Sequence, residues 1–386
     1  MASFSSIPLL DLKPQYELLR EELDTAMLRV AESQQYILGP DVRAFEEEVA
    51  SYLGVKYALG VSSGTDALLM ALMALEVVPG DEVITTPYSF FATAGSIARL
   101  GLVPRFVDID PLTFNIDPNK IEEVINSRTR AIMPVHLFGQ SAEMDIINEI
   151  ACRHNLPVIE DTAQAIGSKY NGRMVGSIGT IGCFSFFPSK NLGCFGDGGL
   201  VSTDSFELYE KLLSIRNHGQ TPAERYKHIR LGGNFRIDTL QSAILRVKLP
   251  HLDSWLQGRR KNANIYGELF KEHLPEDVFS RGDLVLPQEK SPAYHTFNQF
   301  VTRIPFRDRF VEAAGKSGVG VMVYYPYPLH TQPCFSSLGY VEGDFPQSEK
   351  AAKETVALPI YPEAPTSHLR KVVELMVETG REEGVW

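Results

Sequence analysis

Residues 57–76 read YALGVSSGTDALLMALMALE. Tyr57 to Val61 is a short apolar run suited to a strand, Ser62 to Gly64 a turn, and Thr65 to Glu76 a helix that is apolar on most of its faces. A helix buried on most sides, entered from a strand through a glycine turn, is the repeating unit of an α/β sheet. The unit recurs downstream. DEVITT (81–86) precedes a helix over 92–100, PRFVDID (104–110) a helix over 118–126, and AIMPV (131–135) a helix over 142–153. LPVIEDT (156–162), IGCFSF (181–186) and GGLVST (198–203) follow. Short β-rich runs alternating with helices predict a mainly parallel sheet sandwiched by helices.

Upstream, Tyr16, Leu19, Leu23, Met27 and Val30 recur three or four apart and predict an amphipathic helix from Lys13 to Val30. Gly39 and Pro40 break it, and a second helix runs from about Asp41 to Leu53. After Arg236 the pattern changes to IDTLQSAILRVKL, interrupted at Pro250 and resuming toward Phe270. The remainder mixes strands such as FNQFVTRI with helices such as RFVEAAGKSG and HLRKVVELMVETG. The division expected is an N-terminal arm and large α/β domain over 1–250, then a linker helix and a smaller α+β domain over 251–386.

The chain has 386 residues, 44% of them hydrophobic, enough for a large core. Its net charge of -11 argues against nucleic acid or an anionic membrane as partner, both of which need a basic face. Cys152, Cys183, Cys194 and Cys334 show neither zinc spacing nor a disulfide framework. The start MASFSSIPLL lacks an export signal and no stretch of about 18 apolar residues occurs, so a cytoplasmic protein is expected.

One lysine stands out. In FSFFPSKNLGCFGDGG (184–199), Lys190 follows an aromatic run and precedes a glycine-rich bend, an apolar place for an ammonium group. Asp161 ends the strand of LPVIED, at the sheet edge where ligands of open α/β folds bind, although an aspartate there could equally cap the next helix. Gly64 and Thr65 open a helix after a strand, where free N–H groups and the positive helix end receive anions, unless the start is an ordinary cap. An anion cradle, a strand-end carboxylate and a lysine leaving an apolar strand are the parts needed to hold the phosphate, ring nitrogen and aldehyde of pyridoxal phosphate.

The stretches SSGTDAL, TPYSFFATA, PVIEDTAQAIGSKYNG, GCFSFFPSKNLGCFGDGG, RNHGQ and GGNFRIDTLQSAIL occur in the order and spacing of the DegT/DnrJ/EryC1/StrS sugar aminotransferases. IPLLDLKPQYELLREEL and YILGPDVRAFEEEVASYLG resemble that family's N-terminal segment, so the likeness spans nearly the whole chain. It implies the fold-type I pyridoxal-phosphate transferase fold, like that of aspartate aminotransferase, and a homodimer with shared active sites. By position, Lys190 would form the internal aldimine, Asp161 would pair with the ring nitrogen, Gln164 would contact the ring or its 3-oxygen, and Phe90 would stack on the ring. Gly64, Thr65 and Ser185 would hold the phosphate, joined by Asn234 from the partner subunit. The family's dehydratase branch has histidine at the lysine position, so Lys190 implies transamination.

The resemblance further implies L-glutamate as amino donor and a 3-keto nucleotide sugar as acceptor, UDP-linked ahead of dTDP-linked, giving an aminosugar for surface polysaccharide or a related glycan. Arg225 and Arg230, in a cluster with Lys227 and His228, offer charge for the diphosphate. Arg236, Tyr325 and His330 would approach the sugar. Tyr324 stands where some uronate-specific relatives carry histidine, which speaks against a uronate. The competing readings are a 4-keto sugar, a cysteine desulfurase using Cys194, and a cofactor-binding regulator without turnover.

Overall fold

The computed structural model describes residues 6–221, 224 and 226–386. Its strands in chain order are β1 (Tyr57–Val61), β2 (Glu82–Thr85), β3 (Val103–Phe106), β4 (Thr129–Ile132), β5 (Ile159–Asp161) and β6 (Lys169–Tyr170). Then come β7 (Arg173–Met174), β8 (Ile181–Ser185), β9 (Gly199–Thr203), β10 (Ala293–Tyr294), β11 (Phe300–Arg303) and β12 (Thr355–Leu358). Strands β3-β2-β4 and β5-β8-β9-β1 form two hydrogen-bonded groups, joined by the parallel bridges Ile132 to Val158 and Val135 to Asp161. The result is one sheet in the order β3-β2-β4-β5-β8-β9-β1. Only β9 runs antiparallel to its neighbours there.

Strand β8 shows why this sheet needs cover on both faces. Ile181 and Cys183 point into a cluster with Leu59, Leu68, Met70 and Val201, whereas Phe184 and its successor Phe186 pack on the other side with Phe45, Val49 and Leu245. Alternate side chains face opposite ways, and here both sets are apolar. Full burial of each such side chain contributes about 1.5–3 kcal/mol. The helix Gly64–Ala74 covers the first face, capped by Ser63, whose hydroxyl accepts from Asp66 N at 3.1 Å.

The C-terminal part has its own core, where the helices Leu252–His273, Arg307–Lys316 and Thr366–Glu382 pack around the antiparallel pair β11 and β12. Ile7 belongs to that core: its N–H donates to Gly318 O at 2.9 Å and its carbonyl accepts from Gly320 N at 2.7 Å. Ile7, in the arm, therefore packs with the core of the C-terminal part.

Two expected elements are shorter than their patterns. The helix over 118–126 is a 3-10 turn, Pro118–Lys120, and a single α turn, Ile121–Val124. Only Pro118 and Ile121 are buried in these turns, so no apolar face holds a longer helix. The strand over 104–110 stops at Phe106. Beyond it, Asp108 turns to accept from Gln347 N, Ser348 N and Ser348 Oγ at 3.0, 3.0 and 2.7 Å, capping the helix Pro346–Glu354.

Candidate active site

The parallel strands deliver the singled-out residues to one edge. Ser62 to Thr65 leave the carboxyl end of β1, Thr86 to Phe91 follow β2, Asp161 closes β5 and Ser185 closes β8. Gly64 lies so close to β8 that a Cβ placed on it would sit 2.7 Å from Ser185 Cβ. The glycine thus lets the helix start touch the strand end, and its first N–H groups, at Gly64 and Thr65, have no carbonyl a turn behind them. Thr65 is exposed, and Ser185 Oγ accepts from Phe187 N at 3.3 Å.

Asp161 is 4% exposed, with Oδ2 accepting from Thr93 Oγ1 at 2.8 Å and Oδ1 from Ala163 N at 3.2 Å. Burial pushes its pKa up, and the Thr93 and Ala163 hydrogen bonds and the Lys190 charge pull against that. Lys190 sits in the turn after β8, its N–H donating to Phe187 O at 2.8 Å. Burial of its ammonium lowers its pKa to about 8, opposed by the negative charge of Asp161. A lysine so shifted carries a useful fraction of free amine near neutrality.

Behind Asp161 lies a second carboxylate. Glu160 is fully buried and accepts from Gly176 N, Ile178 N and Gly179 N at 2.8, 2.8 and 2.6 Å. Its fourth partner is His136 Nε2 at 2.9 Å. His136 Nδ1 accepts from Ala142 N at 3.0 Å, so the ring proton is on Nε2 and donates to Glu160. Burial raises the Glu160 pKa, but these donors outweigh it and hold it below the usual range. This cluster anchors the strand end that carries Asp161.

Gln164 Oε1 accepts from Phe138 N at 2.7 Å, which turns its Nε2 toward Tyr325 Oη at 2.9 Å. Tyr325 thereby joins the C-terminal part to the sheet edge, with its ring centroid 6.2 Å from that of Phe90, itself 57% exposed. Asn234 is exposed, and its segment bridges to Asn217. Arg236 pairs with Val61 at the end of β1 and donates to Asn217 Oδ1 at 2.6 Å.

His330 is 2% exposed, with Nε2 3.1 Å from Glu349 Oε1 and its ring against Phe345, and the adjoining Leu329 N–H donates to Pro87 O at 2.7 Å, in the segment that follows β2. Arg230 lines a groove with Met73, Glu76 and Lys211, at the far end of the helix that Gly64 opens. Arg225 lies outside the described residues. Cys194 is buried, its Sγ contacting Phe186 O at 3.1 Å, and burial raises its pKa to about 11, the reverse of what a thiolate nucleophile needs. Ser89 and Thr93, within TPYSFFATA, were legible as part of a motif, but nothing in their spacing pairs Thr93 with Asp161.

No helix among the described residues is long and apolar enough to cross a membrane. The profile of the DegT/DnrJ/EryC1/StrS aminotransferase family matches residues 17–377. A "Pleiotropic regulatory protein" of Geobacillus stearothermophilus is 50% identical over 374 residues, covering 97% of this chain and 98% of that one. UDP-N-acetyl-3-dehydro-alpha-D-glucosamine 3-aminotransferase of Acidithiobacillus ferrooxidans is 41% identical over 379 residues, covering 98% and 99%. Further relatives are named for UDP-linked and for dTDP-linked sugars. Among solved structures, S. venezuelae DesV in complex with a ketimine intermediate superimposes with a TM-score of 0.92 at 38% identity, covering 97% of this chain and 98% of that one. With the sheet order, the site edge and these matches in agreement, the chain belongs to the DegT/DnrJ/EryC1/StrS aminotransferase family.

Proposed function

We propose that this protein transfers an amino group from L-glutamate to the C3 keto group of a nucleotide-linked sugar, UDP-linked in preference to dTDP-linked, with pyridoxal phosphate as cofactor. The observation that carries the reading is Lys190, desolvated and electrostatically coupled to the buried Asp161 at the sheet edge where Gly64 and Ser185 meet. The residues fit the cofactor: a close glycine contact opens a helix start to a phosphate, and a buried carboxylate feels the charge of the Lys190 amine. Bound there, pyridoxal phosphate would supply a carbon that accepts and returns the amino group and a ring that takes up the electron pair.

Gly64 and Thr65 N–H groups and the Ser185 hydroxyl would hold the phosphate. Asp161 would keep a proton on the ring nitrogen, Gln164 would face the ring's 3-oxygen and Phe90 would cover its face. The Lys190 amine would take a proton from the donor carbon and return it at the other end of the transfer. Tyr325 and Arg236 would contact the sugar. Two chains would share each site, Asn234 crossing from the partner. In support, Leu231, Ile37 and Phe187 are 88%, 55% and 51% exposed, apolar surface that a second copy would cover.

The UDP preference has support in the 41% identical relative that acts, by its name, on a UDP-linked 3-dehydro sugar, beside a 42% identical relative named for a dTDP-linked 3-amino sugar. A regulator that binds cofactor without turnover is favoured by the name of the 50% identical relative. A panel of 3-keto and 4-keto UDP- and dTDP-sugars, each incubated with enzyme and glutamate and read by mass, separates these readings. Amination of a 3-keto UDP-sugar ahead of the others is expected, and no amination of any acceptor would favour the regulator.

A further inference from the structure

The segment TPYSFFATA (86–94) presents Phe90 to the site, but it also reaches beneath it. Ser89 and Thr93 are 4% and 1% exposed, with their hydroxyl oxygens 2.8 Å apart, and Thr93 Oγ1 lies 2.8 Å from Asp161 Oδ2. An ionised Asp161 can only accept, so Thr93 donates to it. Having one proton, Thr93 can then only accept from Ser89. The two hydroxyls form a one-way chain that ends on the carboxylate.

We propose that Thr93, oriented by Ser89, is a positioning residue that fixes the direction of the Asp161 carboxylate and keeps it ionised for its partner. This rests on reading Asp161 as the partner of the ring nitrogen. The other groups that face Asp161 cannot do this work steadily. Lys190 must give up and regain its proton during transfer, so its charge is not constant. His136 is committed elsewhere, its Nε2 to Glu160 and its Nδ1 to the Ala142 N–H. Cys183, paired with Asp161 across β5 and β8, is a buried thiol, and burial also keeps the Tyr325 phenol protonated. Thr93 Oγ1 and the Ala163 N–H are the donors that stay in place through the reaction. A hydrogen bond to a charged group in a dry site is among the stronger single contacts a protein makes.

The test compares the holoenzymes of wild type, Thr93→Val, Thr93→Ser and Asp161→Asn. The readouts are kcat and KM for glutamate across pH, the pH titration of the visible cofactor band, and cofactor affinity of the apoproteins. For Thr93→Val, which keeps the shape and removes the hydroxyl, kcat is expected to fall about 10- to 100-fold while KM changes little. The acid limb of its kcat profile and the band titration should move up by about one pH unit, and cofactor affinity should weaken. Thr93→Ser, which restores the donor, should stay within about threefold of wild type. A Thr93→Val enzyme that matches wild type while Asp161→Asn is impaired would overturn the proposal, as would a Thr93→Ser enzyme as weak as Thr93→Val. An unimpaired Asp161→Asn would instead sink the ring-nitrogen reading itself. Should Thr93→Val not fold, Ser89→Ala carries the test: a smaller shift in the same direction supports the chain, and unchanged profiles refute it.

Discussion

Replacing Gly64 by alanine probes the proposed phosphate cradle without removing any side chain that carries chemistry. The added Cβ would lie 2.7 Å from Ser185 Cβ and 3.2 Å from both Ser185 Cα and Oγ. Carbon atoms settle about 3.5–4.0 Å apart, so the contact must open by about 1 Å. The obstacle includes backbone at the end of β8, held by its neighbours β5 and β9, which cannot swing aside as a flexible side chain would. The helix start must therefore move outward. Overpacking of this kind costs about 1–3 kcal/mol of stability. Displacing the N–H groups of Gly64 and Thr65 by a similar distance loses charge-assisted bonds worth about 1.5–3 kcal/mol each. Loss of both should then lower cofactor affinity by about 10²- to 10⁴-fold. The assay is titration of apoprotein with pyridoxal phosphate, followed by absorbance, beside urea unfolding of both proteins. Gly267→Ala serves as control, because nothing lies within 4 Å of the Cβ it would gain in the helix Leu252–His273. That change should raise stability by about 0.5–1 kcal/mol and leave cofactor binding alone. Wild-type cofactor affinity in Gly64→Ala would refute the cradle.

Other consequences follow from the buried carboxylates and Lys190. Glu160→Ala leaves the N–H groups of Gly176, Ile178 and Gly179 and the His136 ring proton without their acceptor, and should cost about 3–5 kcal/mol in urea unfolding. The apoprotein should gain stability between about pH 8 and pH 10.5. There the unfolded chain still holds the Lys190 proton that the folded one has released, and Lys190→Met should flatten that rise in thermal unfolding. Asp41 is bound by Arg29 at 2.8 and 2.9 Å and by Arg246 at 2.6 Å. Burial raises its pKa, yet these partners bring it below the usual carboxylate value. Its contribution is therefore present above that usual value and lost as pH falls through the lowered one. Asp41→Asn should make acid unfolding less steep there.

The sheet was legible because its units are local. A strand, a glycine turn and an apolar helix lie within twenty residues of one another in YALGVSSGTDALLMALMALE, and the turn itself brings Gly64 to the ligand edge. Lys190 could be singled out because a lysine beside an aromatic strand is costly unless it has a task. What was not legible depends on contacts between distant segments. Asp108 leaves the expected strand to cap a helix some 240 positions on, and Ile7 crosses to the smaller core. The packing of His330 against Glu349 and Phe345 is decided by tertiary contacts that no periodicity records. Thr93 sits on the buried side of a short helix, and its partner Asp161 is 68 positions away. A hydroxyl among apolar neighbours gives no sign of direction until both ends of the bond are placed.

The most direct measurement follows the visible spectrum of the holoenzyme. On addition of L-glutamate, the band of the lysine-bound cofactor should give way to that of the pyridoxamine form. A 3-keto UDP-sugar should then reverse the change as the aminosugar appears by mass. Lys190→Ala should fold and bind cofactor yet show neither step. A wild-type band untouched by glutamate and by every other amino donor, or normal turnover in Lys190→Ala, would contradict the account.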